Sequence, residues 1–111
     1  MRHWTVAEAD AALPWVRELL GRIRMLAAQA KRSSNGRVAG SEEELQAAIE
    51  ELTRDGIVLR DHERGLIDFP AVTPSGRDYL LCWLDGEESI TWWHWLDTGF
   101  AGRTPLSRPP E

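Results

Sequence analysis

The hydrophobic residues of this chain change period once, and the change falls at Asp55-Gly56. Before it they recur every three or four positions, as on one face of a helix. After it they come in short β-branched and aromatic runs bounded by turn residues. Helices followed by strands predict an α+β chain: an N-terminal helical hairpin packed on a small antiparallel β-sheet, with an irregular C-terminal tail. A chain of 111 residues can bury one core but not two. We therefore expect one domain over 1–104 and a tail over 105–111, where Pro105, Pro109 and Pro110 fall.

Thr5-Val6-Ala7-Glu8 has the form of a capping box, so a helix starts there. Pro14 suits a first turn better than a helix interior, which predicts a short helix over 6–12 and a restart into a longer one reaching Lys31. Val16, Leu19, Leu20, Ile23, Leu26, Ala27 and Ala30 form its apolar stripe, and Glu18 and Arg22 are expected to face each other outside. Ser33-Ser34-Asn35-Gly36 opens a loop that runs through Gly40. Ser41 and Glu44 make a second capping box, for a helix with inner residues Leu45, Ala48, Ile49 and Leu52. The first helix is basic and the second acidic, so the two complement each other as packed neighbours.

Strands are expected at Ile57–Arg60, Leu66–Phe69 (stopped by Pro70), Tyr79–Leu84 and Ile90–Trp95. The longest apolar run, Tyr79 to Leu84, is far below the roughly 20 residues a membrane span needs. The N-terminus shows no signal-peptide pattern, and one cysteine, Cys82, agrees with a reducing compartment, so a cytoplasmic location is the expectation. A net charge of −5 argues against a protein held to nucleic acid by phosphate neutralisation.

The densest stretch is Trp92 to Arg103, with three of the six tryptophans and one of the three histidines. Strand alternation puts Trp92 and His94 on one face and Trp93 and Trp95 on the other. If Cys82 faces Trp92, then His94, Cys82 and Leu80 share a face; a one-residue slip moves His94 across. Large apolar groups on both faces call for cover from the tail or a second copy of the chain.

Several segments are recognisable in order. They are Thr5-Val6-Ala7-Glu8-Ala9 with Leu13-Pro14, the stretch from Asp61 ending Gly65-Leu66-Ile67-Asp68-Phe69-Pro70, the Tyr79–Trp83 strand, and Trp93-His94-Trp95-Leu96-Asp97 followed by Gly99-Phe100-Ala101-Gly102-Arg103. Over nearly its whole length the chain resembles the domain of unknown function 2203 family of small bacterial and archaeal proteins. Trp95 departs from that pattern, where a polar residue, often glutamate, is expected; this weakens any scheme needing a carboxylate there. The resemblance supports the domain boundaries and implies no activity.

Two functional readings follow. The first is a homodimeric binding or interaction module with an aromatic sheet surface, with Arg103 and Trp93 available for a small-molecule or anionic ligand whose identity the sequence does not give. The alternative is a metal-dependent, hydrolase-like enzyme, with His94, Asp97, Asp68 and Glu63 holding zinc, manganese or iron, because an imidazole with carboxylates is a sensible donor set for a divalent ion. The competing structural account makes His94 a half-buried histidine held by one acid, and Arg103 a partner of Asp68 or Asp97. Cys82 reads as a small core hydrophobe.

Overall fold

A computed structural model describes residues 2–32 and 41–111. Two helices, α1 (Val6–Arg32) and α2 (Ser41–Arg54), precede five strands: β1 (Val58–Asp61), β2 (Leu66–Val72), β3 (Asp78–Leu84), β4 (Trp92–Trp95) and β5 (Thr104–Pro105). The strands form one antiparallel sheet in sequence order. The α+β class and the helical hairpin expected from the change of period are present. No helix among the described residues is long and apolar enough to cross a membrane.

Helix α1 starts at the expected capping box. The Thr5 N–H donates to Glu8 Oε1 at 2.9 Å, and the Glu8 N–H donates to Thr5 Oγ1 at 3.1 Å. The restart expected at Pro14 does not occur, and the helix runs through it. Ala9, Leu13, Val16, Leu20 and Ile23 are buried in one continuous phase across the proline, whose own side is exposed. The ladder bond lost there faces solvent, where water can satisfy the freed carbonyl, while the buried stripe holds the helix together. Arg22 pairs with Glu51 of α2, and not with Glu18 as expected. The loop expected over 33–40 lies outside the described residues, as does the Ser41 side chain of the second capping box. At the C-terminus of α2, Gly56 takes φ 77°, the Ile57 N–H donates to Leu52 O at 3.1 Å, and the chain turns into β1.

Pro70 also fails to end its element, since β2 continues to Val72. β1 reaches only as far as Asp68 along β2. At Pro70 that side of the strand has no ladder partner, so the missing N–H leaves no hydrogen bond unmade. The Pro70 carbonyl accepts the Trp4 N–H instead, which ties the N-terminal segment to the sheet.

Registers of Cys82 with Trp92 and of Leu80 with His94 fix the two sheet faces. The inner face carries Ile67, Phe69, Ala71, Leu81, Trp83 and Trp93, which form one core with the α1 stripe and with Ala48 and Leu52 of α2. Asp68, Cys82, Trp92 and His94 share the outer face. Arg17 of α1 donates to the carbonyls of Glu87 and Glu88, and Asp10 accepts the Ile90 N–H at 2.6 Å, so the β3–β4 connection is fastened to α1.

The tail lies on the domain. β5 pairs with β4, the Leu106 N–H donates to Thr91 O, the Trp93 indole N–H donates to Arg108 O at 2.8 Å, and Glu111 binds Ser75. Thr104 and Pro105 thus extend the sheet into the tail, and the chain itself covers Trp93. Among the described residues the exposed large hydrophobics are Met25, Val72 and Leu96, and Trp93 is not one of them.

Candidate metal centre

Three consecutive strands supply the centre. Asp68 on β2, Cys82 on β3 and His94 on β4 all point outward, and each is at most 3% exposed. One donor atom from each lies within 4.8 Å of the other two. The arrangement follows from the registers, which set Asp68 opposite Cys82 and His94 two residues beyond the Cys82 partner Trp92.

The protonation of the ring is decided by its backbone neighbour. His94 Nδ1 lies 2.7 Å from the Trp95 carbonyl oxygen, which can only accept, so Nδ1 carries the proton. Nε2 then faces both Asp68 oxygens at 3.1 Å. A neutral imidazole so oriented turns a lone pair toward a carboxylate, and something positive must stand between them. A proton held by the ring or by Asp68 and shared between them is one such charge; a metal ion is the other. Histidine ligands commonly give their remaining N–H to a backbone carbonyl in this way.

Asp68 has one more partner. Arg60, on the outer face of β1, donates from Nε to Asp68 Oδ2 at 2.9 Å. Burial, with the Asp68 charge second, pushes the Cys82 thiol up to about 12. The free thiol is therefore protonated at neutral pH, and only a cation close to sulfur would make it a thiolate.

The segment 96–103 folds back over this face. A cavity of about 320 Å³ beside the centre is lined by Arg60, Leu66, Asp68, His94, Asp97, Thr98 and Phe100, among others. Arg103 reaches under the segment with its guanidinium 4.5 Å from the Trp92 ring centre and 4.8 Å from that of Phe100. It donates to Glu87 Oε2 at 2.6 Å, and its Nε is buried with no partner among the described residues. The acid on Arg103 is thus Glu87, and neither Asp68 nor Asp97 as expected.

The residues singled out in the sequence divide accordingly. His94 and Asp68 are in direct contact. Asp97 borders the same cavity from its exposed rim but lies outside the three-residue cluster. Glu63 lines a different cavity, with Arg24, Lys31 and His62, because Asp61 Oδ1 accepts the Glu63 and Arg64 N–H groups and curls the β1–β2 turn toward α1. Trp93 is an inner-face core residue whose indole N–H is spent on Arg108, so it presents no ligand surface. Sequence reasoning missed Cys82 and Arg60. The signal for Cys82 was the conditional register that set it beside His94; for Arg60 it was the alternation placing Arg60 and Asp68 on one face of neighbouring strands.

Among known proteins, no curated protein and no solved structure gives a significant match. Residues 2–106 match the family model described as "Uncharacterized conserved protein (DUF2203)", and the chain, nearly all of which that match covers, belongs to this family.

Proposed function

We propose that the protein binds a single divalent metal ion, of the zinc type, through Asp68, Cys82 and His94. The observation that carries this reading is the His94 ring, whose Nδ1 is committed to the Trp95 carbonyl while Nε2 faces a carboxylate and a thiol within 4.8 Å. Ligands bonded at about 2.0–2.1 Å in a tetrahedral arrangement stand roughly 3.3 Å apart, close to the 3.1 Å between Nε2 and the Asp68 oxygens. A set containing one thiolate favours zinc or iron over manganese. Three protein ligands leave a position open, as in catalytic zinc sites, where a bound water loses its proton near neutral pH. A metal held by these three residues would supply such an acidic water, and Asp97 is the exposed carboxylate on the rim of the neighbouring cavity. Hydrolysis is the reaction class such a centre supports.

Elemental analysis of protein purified without chelator tests the reading. About one metal per chain is expected, lost in His94→Ala and Cys82→Ala variants that keep their far-ultraviolet circular dichroism. Metal-free protein that takes up neither zinc nor cobalt, with a doubly protonated His94 ring in its NMR spectrum, would leave a His–Asp–Arg ion cluster and no metal site.

A further inference from the structure

Resting on the metal reading above, we infer that the cavity receives a small monocarboxylate with a short apolar body, whose carboxylate is gripped by Arg60 beside the ion. Arg60 is tied by Nε alone; its two Nη nitrogens make no hydrogen bond among the described residues, and its side chain is 46% exposed. Asp68 thus holds the guanidinium through Nε and leaves its terminal pair of N–H donors uncommitted on a residue that lines the cavity, the pair that takes a planar carboxylate two-pronged.

Charge points the same way. A dication with the Asp68 carboxylate, a Cys82 thiolate and Arg60 leaves one positive charge on this face. The exposed Asp97 at the rim offsets this charge, and the equally exposed Arg64 restores it. The guanidinium of Arg64 lies 5.0 Å from the Phe100 ring centre and adds to the positive field beside the cavity. In a chain of net charge −5 this is a local reversal of sign, which favours an anion. Leu66, Leu96 and Phe100 give the rest of the wall an apolar side next to Thr98 and Gly99, and about 320 Å³ is the lower end of the range for small-ligand sites. Together they select a compact molecule with one charged end and one greasy end.

The test uses the full chain loaded with cobalt(II), whose visible absorption reports the number and kind of its ligands. Butyrate is titrated first, acetate and inorganic phosphate in parallel. Butyrate is expected to change the spectrum saturably and to bind more tightly than acetate. In Arg60→Met, with cobalt content and circular dichroism retained, butyrate should bind roughly 10- to 100-fold more weakly, the usual worth of a charged hydrogen-bonded contact. Arg60→Lys keeps the charge but not the fork, and is expected to weaken butyrate more than phosphate. Cobalt that binds while butyrate leaves its spectrum unchanged, or an Arg60→Met protein that binds butyrate as well as the wild type, overturns the inference and spares the metal reading. A response to phosphate alone overturns the carboxylate assignment. Failure of cobalt itself to bind removes both.

Discussion

Cys82 shows how one buried atom links folding to pH. Its thiol is raised from an ordinary value near 9 to about 12, chiefly by burial and then by Asp68. The folded metal-free chain therefore holds this proton more tightly than the unfolded chain does. Below pH 9 both forms are protonated and the group has no effect on stability with pH; above it the unfolded chain loses the proton first, so stability falls as pH rises toward 12. Burial raises the Tyr79 hydroxyl in the same direction, so the comparison must isolate the thiol. In urea melts of chelator-treated protein, the fall in midpoint from pH 9 to pH 11 is expected to be smaller in Cys82→Ala than in wild type; equal slopes would contradict the account. At this scale the sequence showed His94 and Asp68 as candidates because their side chains have few roles besides chemistry or pairing. It hid Cys82, since a cysteine between Leu81 and Trp83 looks the same whether its sulfur meets hydrocarbon or an imidazole.

Elements were legible wherever periodicity carried the information. Both helices come from runs with a helical period, the four longer strands and the β3–β4 hairpin from short β-branched and aromatic runs bounded by turn residues, and the capping box at Thr5 forms as expected. The two prolines were misjudged for a common physical reason. Local rules say that proline ends an element because a backbone donor is lost, but the cost depends on whether that donor had a partner to lose. Pro70 sits where β2 has no β1 neighbour, and Pro14 sits on the solvent side of a helix fixed by its buried stripe. Pro14 still costs helix stability relative to alanine, by about 3 kcal/mol in an isolated helix interior. Pro14→Ala is expected to stabilise the protein by about 1–2 kcal/mol after allowance for the unfolded-state rigidity that proline supplies. A urea midpoint unchanged or lowered in that variant would show that the helix is built around the proline.

Across the whole molecule, the expectation of a second copy rested on an aromatic face in want of cover. The chain covers the inner face itself: α1 and α2 lie over Phe69 and Trp83, and the C-terminal segment closes over Trp93. The sequence offered the tail and a second copy as alternative covers and could not choose between them, because residues 105–111 have no periodicity and their partners lie in strands far back along the chain. Removal of residues 106–111 takes away the half-buried Leu106, the partner of the Trp93 indole and the Ser75–Glu111 contact. A loss of about 2–3 kcal/mol is expected, with a red-shifted tryptophan emission in calorimetry and fluorescence on the same sample. A truncated chain that melts and emits as the full one does would show the segment to be dispensable.

The strand order has one more consequence, in time. Each strand's neighbour in space is its neighbour in sequence, so during synthesis the sheet can grow by one hairpin at a time without waiting for a distant segment, as suits rapid folding. The outward-facing acid, thiol and imidazole leave the ribosome in that same order, one per strand. A chain halted before β4 can hold the first two beside each other but offers no complete set of donors, and the segment that roofs the cavity emerges after the third. The three side chains thus come together before the segment that borders their cavity is in place.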